Sequence, residues 1–248
     1  MNQVRWHVGC SGFHYREWKE EFYPLGLAQS KWFNFYTEHF NTLELNVTFY
    51  RYPTLKMLQG WYAKAPEGFT FSAKVPRSIT HFKKLIDTQN MLQDFYDLLQ
   101  QGLQEKLSCV LFQMPPQFAF SDAALERLLQ QADPAFTNVV EFRNESWWTA
   151  DVQARLQEAN IIFSGVSFPR ITNDNAVVNT PVAYYRFHGV PVLFYSEYSE
   201  EFLEKIFNQL SQHPDLKEAF VYFNNTASVA ALHNARYFRK LISGSIHT

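Results

Sequence analysis

Asn138-Val139-Val140-Glu141-Phe142-Arg143 is too short for a helix, is built around β-branched and aromatic residues, and closes on two charged side chains. Such a run reads as a strand covered on both faces, with chemistry placed at its C-terminal end. Seven further runs of the same build lie at 6–11, 43–48, 69–74, 108–113, 161–167, 182–188 and 219–224, and most of the segments between them carry helical spacing. Hydroxyl residues stand where four of those helices are expected to start: Ser30 before 31–40, Thr88 before 89–107, Ser121 before 122–131 and Ser199 before 200–212. Strand and helix alternating eight times predict an α/β chain folded as a single (β/α)8 TIM-type barrel with a closed parallel sheet. An open doubly wound sheet alternates in the same way, but it usually carries a Gly-rich phosphate turn after its first strand. The segment Gly9-Cys10-Ser11-Gly12 is not that fingerprint.

The 248 residues match one barrel, so one domain spanning 1–248 is expected, and no linker or low-complexity tract interrupts it. Twenty-four Phe and 13 Tyr within a 46% hydrophobic composition supply ample core. A formal charge of −2 gives no global basic footprint, which makes nucleic acid the weaker partner hypothesis. Cys10 and Cys109 form neither a disulfide framework nor a zinc spacing, and Cys10 reads as a small buried residue more readily than as a nucleophile. The first residues lack a signal-peptide apolar segment, and no run approaches membrane-spanning length, so a cytoplasmic location without membrane attachment is expected.

In a barrel of this type the strand ends converge on one site. Here they carry Glu44, Asn46, Lys74, Gln113, Glu141, Arg143, Arg186, His188 and Asn224. Alternation along a strand would put Glu44 with Asn46 and Thr48 on one face, Glu141 with Arg143 on another, and Arg186 with His188 on a third. Two carboxylates against Lys74, Arg143 and Arg186 leave one positive charge, which an anionic ligand balances. Lys74, Glu141, His188 and Glu44 are the candidate acid-base groups. Arg143, Arg186, Asn46, Gln113, Asn224, Arg77 and Trp147 are the candidate substrate contacts. The same residues admit an architectural reading, in which the two arginines only neutralise Glu44 and Glu141.

The segment 74–84 carries Lys74, Arg77, Lys83 and Lys84, one histidine and no acid, and it suits a loop that draws phosphates or carboxylates inward. Phe82 in that loop could stack a base. Trp147-Trp148 could platform a ring, although packing of the loop against the barrel competes with that role. No cofactor is predicted. A divalent metal on Glu44, Glu141 and His188 is an alternative, without any local ligand motif such as H-E-x-x-H.

Seven motifs, taken in order, resemble those of the domain of unknown function 72 proteins, also called YecE-like. They are 9–13 with Tyr15 and Trp18; 40–46 with 48–50; 71–76; 111–116; Glu141-Phe142-Arg143 with Trp147; 186–189; and 222–226. The resemblance covers the whole chain. It implies a TIM-type barrel with a polar pocket formed by these strand ends, and it implies no reaction; only fold-level analogy connects it with metal-dependent barrels such as apurinic endonucleases and sugar isomerases. The chain departs from the pattern at Gly165-Val166-Ser167, where an Asp is often found, and at Cys10, where Thr is commoner. The function expected is that of an enzyme binding a phosphate- or carboxylate-bearing small molecule with Lys, Glu and His acid-base chemistry. The alternatives are a metal-dependent phosphodiester hydrolase and a non-catalytic module that binds nucleic acid or another polyanion.

Overall fold

In the computed structural model, which describes residues 4–245, each of the eight apolar runs contains a strand; the outermost residues of the 1–248 domain expected from the sequence lie outside the described residues. In chain order the elements are β1 (Arg5–Cys10), α1 (Trp32–His39), β2 (Thr42–Leu45), α2 (Val47–Tyr50), α3 (Leu55–Lys64), β3 (Thr70–Lys74), α4 (Gln89–Leu103), β4 (Leu107–Gln113), α5 (Asp122–Gln131), β5 (Asn138–Glu141), α6 (Ala150–Glu158), β6 (Ile162–Phe163), β7 (Gly165–Ser167), β8 (Val182–Phe187), α7 (Glu200–Ser211), β9 (Glu218–Phe223) and α8 (Ala230–Ser245).

The strands form two parallel sheets, ordered β1-β9-β8-β7 and β2-β3-β4-β5-β6, where the sequence predicted one closed sheet. The sixth run explains part of the difference, because its strand is interrupted at Ser164: β6 pairs with β5, and β7 pairs with β8. The chain divides into two compact units, Met1–Glu44 with Gly165–Thr248, and Leu45–Ser164. Among the described residues no helix is long and apolar enough to cross a membrane.

In the first unit, Phe187 and Phe223 stack with centroids 4.6 Å apart, and Tyr23 stacks on Trp32 at 4.3 Å. Phe207 of α7 and Phe238 of α8 close over Trp6. Beyond β1 the chain stays beside the second strand, with Ser11 bridged in parallel to Glu44 and the Gly12 N–H donating to the Glu44 carbonyl at 3.0 Å. Gly9 is obligatory there, since a Cβ would lie 2.1 Å from the Thr42 carbonyl oxygen.

In the second unit, the caps decide where the helices begin. The Ser121 hydroxyl accepts from the Ala124 N–H at 3.2 Å and starts α5 where the sequence placed it. Ser199 does the same for α7 in the first unit, at 3.3 Å from the Phe202 nitrogen. Thr88 precedes α4 without capping it, because its hydroxyl donates instead to the Gln131 side chain. Ser30 lies in a short 3-10 turn ahead of α1 and caps nothing.

Candidate functional site

Each unit carries some of the strand-end side chains. In the first unit, Glu44 and Arg186 form an ion pair of 2.6 Å in which neither side chain has any exposure. The second carboxylate oxygen of Glu44 accepts from the Tyr184 hydroxyl at 2.6 Å. Burial alone would raise the Glu44 carboxyl, but the Arg186 charge and its hydrogen bond outweigh that and hold it below the usual range. His188, also buried, has Nε2 3.3 Å from an Arg186 guanidinium nitrogen and Nδ1 2.8 Å from the Asn224 amide. A guanidinium and an amide nitrogen both donate, and a neutral imidazole has one acceptor nitrogen, so the ring accepts from one of these two partners. Glu44, expected as an acid-base group, and Arg186, expected as a substrate contact, are thus paired with one another.

Within the second unit, Leu45–Ser164, the strand ends bring a further set of polar side chains together. Asn46 was expected on a strand face with Glu44 and Thr48; instead β2 ends at Leu45 and the chain turns into α2. The cause is the Thr48 hydroxyl, which points its hydrogen at the Leu45 and Lys74 carbonyls, at 2.7 and 2.6 Å. Those bonds close the turn and tie α2 to the end of β3. Phe49 is thereby placed under the Lys74 ammonium, whose Nζ lies 3.9 Å from the ring centroid. Lys74 is only 7% exposed.

A single wide turn, Ser78–Phe82, closed by the Lys83 N–H to the Ser78 carbonyl at 3.1 Å, folds His81 back against Phe49, edge to face at 4.9 Å. His81 Nδ1 is 2.9 Å from the Thr80 hydroxyl oxygen, and that hydroxyl reaches the Pro76 carbonyl at 3.4 Å. Thr80 therefore accepts from an Nδ1–H, which leaves the Nε2 lone pair facing the Gln113 amide nitrogen at 3.5 Å. Gln113 is fixed by donating to the Met114 carbonyl at 2.7 Å.

Glu141, at the end of β5, is fully buried and accepts from Arg143 Nε at 2.7 Å, while Arg143 keeps 13% exposure. Burial pushes the His81 imidazole down to about 4, with the Lys74 and Arg143 charges adding to the effect, Glu141 opposing it and Arg77 adding a little more. His81 is thus neutral near pH 7, beside Lys74 and Arg143 and one carboxylate. The sequence reading did not select this histidine. The only signal pointing to it was its place in a stretch of cations without acids.

Trp147, expected as a ligand platform, is unavailable for that purpose. It is fully buried with Phe142 stacked at 4.0 Å and Phe118 at 5.3 Å, and its N–H donates to the Phe118 carbonyl at 2.6 Å. Arg77 is exposed, and its guanidinium carbon lies over the Tyr50 and Phe82 rings, at 5.7 and 5.5 Å from their centroids. Among the described residues no group of three His, Cys, Asp or Glu side chains is placed to hold a metal ion. Cys10 is buried and its thiol pushed far up by burial, which leaves it no thiolate character. A recess of about 340 Å³ in the first unit, lined by Tyr23, Pro24, Leu25 and Trp32 among others, includes no residue of either polar cluster.

Comparison with known proteins agrees with this architecture. The family described as "Protein of unknown function DUF72" matches residues 7–247. The UPF0759 protein YunF of Bacillus subtilis is 24% identical over 270 residues, which takes in 95% of this chain and 94% of that protein. The crystal structure of a DUF72 family protein from Thermotoga maritima superposes with a TM-score of 0.87 at 28% identity, covering 96% of this chain and 99% of that one. D-psicose 3-epimerase from Clostridium cellulolyticum H10 superposes with a TM-score of 0.56 at 12% identity, covering 97% and 98% of the two chains, a likeness of fold alone.

Proposed function

Because this chain belongs to the DUF72 family, a TIM-barrel-like α/β family whose description carries no reaction, we propose from its side chains that it is an enzyme acting on a small phosphate- or carboxylate-bearing molecule held by the cluster of Leu45–Ser164. The observation that carries this reading is the geometry of the strand ends: the nearly buried Lys74 ammonium stands over the Phe49 ring, and Arg143, paired with buried Glu141, keeps a solvent-facing edge. Two such cations suit an anion. Lys74 and Arg143 hold it, Glu141 keeps the Arg143 fork in position, Gln113 orients the His81 ring, and Arg77 draws the ligand in from the rim.

An anion beside His81 opposes the two cations and raises the imidazole pKa toward the neutral range, where an acid-base group works best. The bound ligand thus prepares its own proton acceptor at Nε2. The same reading takes the strands of the TIM-barrel-like fold as an eight-membered closed sheet, with β6 and β7 as one strand interrupted at Ser164.

Thermal unfolding of the native protein and of Lys74→Ala in increasing phosphate tests the anion site, since a ligand that binds only the folded state raises the melting temperature. The expected result is a rise in the native protein that Lys74→Ala loses. An equal rise in both would remove Lys74 from the site, and no rise in either would remove the site.

A further inference from the structure

Beside the anion cluster, the same unit exposes two aromatic rings, Tyr50 at 67% and Phe82 at 72%. Both lie against Arg77, and Tyr50 packs edge-on against Phe49, with centroids 5.0 Å apart. Phe49 is the ring that carries the Lys74 ammonium, so one aromatic contact separates the exposed face from the cation of the anion site. The segment that presents Phe82 is held in an unusual backbone shape: Lys84, Leu85 and Asp87 have φ values of 49°, 62° and 52°. Left-handed backbone at three non-glycine residues costs free energy that the surroundings must offset. The Leu85 N–H donates to the Ile79 carbonyl at 3.1 Å, and Gln131 donates to the Leu85 carbonyl at 2.6 Å. The shape is therefore built into the fold. In this segment Phe82 is exposed, with Lys83 and Lys84, both partly or fully exposed, next to it.

We infer that Tyr50, Arg77 and Phe82 form a stacking face for a planar ring, and that the ligand of the neighbouring anion cluster is accordingly a nucleoside monophosphate or a close analogue; this rests on the anion-site reading above. An exposed ring is sequence-tolerant for bases, and an arginine in contact with two such rings adds a flat cation against which a base can stack. The cationic surroundings suit a phosphate ester and disfavour a neutral aromatic metabolite.

Isothermal titration of the full chain with inorganic phosphate, ribose 5-phosphate and adenosine 5′-monophosphate separates the contributions. Native protein should bind the nucleotide about tenfold more tightly than ribose 5-phosphate, the gain expected of one stacked base. Phe82→Ala and Tyr50→Ala should each reduce that preference and leave inorganic phosphate binding as it was; both side chains are mostly solvent-exposed, so neither change threatens the fold. Equal affinity for the nucleotide and ribose 5-phosphate in the native protein would overturn the stacking face while leaving the anion site standing. Failure of all three probes, inorganic phosphate included, would overturn the anion site and the stacking face with it. Tight, steeply salt-dependent binding of a single-stranded oligonucleotide without binding of the mononucleotide would replace the small ligand by a polyanion.

Discussion

Lowering the pH should destabilise this protein through His81, and replacing that histidine by glutamine should remove the effect. The unfolded chain protonates the imidazole near its ordinary value of about 6.5, whereas the folded protein resists protonation until about 4. Between those two values the unfolded state binds more protons, so stability falls as pH falls and the loss is complete once the folded form also protonates. The full displacement sets a ceiling of about 3 kcal/mol, of which about 2 kcal/mol is lost by pH 5; part of the ring reaches solvent, and screening reduces this to about 1 kcal/mol. Urea unfolding of native protein and His81→Gln at about pH 7.5 and about pH 5 measures it. The native protein should lose about 1 kcal/mol more than the variant over that interval. Equal losses in the two would refute the claim that Lys74, Arg143 and burial keep His81 neutral.

Other expectations follow from particular contacts. Arg186→Met should cost about 3–5 kcal/mol in urea unfolding at neutral pH, because it strands Glu44 in a fully buried position, and protonating Glu44 by acidification should recover part of the loss. Gly102→Ala should destabilise by about 1–2 kcal/mol although alanine favours helices, since overpacking outweighs propensity: the new Cβ would lie 2.4 Å from the Leu58 Cβ. A more stable variant would mean that α3 and α4 yield easily at this contact. Ser121→Ala should cost about 1 kcal/mol and fray the first turn of α5, visible as faster amide exchange at Ala124. Sulfate does not titrate in this range, so its binding should tighten as pH falls from neutral, as His81 adds a third positive charge, and should stay flat in His81→Gln.

The strands were legible because each is covered on both faces and ends abruptly in polar residues, a pattern that needs no tertiary information. The run 43–48 misled because Val47 and Thr48, like the Phe49 and Tyr50 that follow, favour strands. They are helical on account of two hydrogen bonds from one hydroxyl, and one of these reaches the distant Lys74 carbonyl. Thr88 looked like a cap and is not, since its partner Gln131 is far away in sequence. Lys74, Gln113, Glu141 and Arg143 were found as strand ends, and the Lys74–His81 neighbourhood then depended on a wide turn that periodicity does not reveal. Charge balance allows the two arginines to neutralise the two carboxylates without saying which meets which; the pairs formed are Arg143 with Glu141 and Arg186 with Glu44. How deeply each pair is buried was not readable from the sequence: Arg143 keeps a solvent-facing edge and Arg186 has none.

The measurement that bears most directly on the anion site is the anomalous difference density of a crystal grown with selenate, a heavy stand-in for sulfate and phosphate. A peak within hydrogen-bond reach of Lys74 Nζ and the Arg143 guanidinium, absent in Lys74→Ala crystals, is the predicted result. Selenate bound elsewhere on the chain, with that position filled only by water in the native protein, would contradict it.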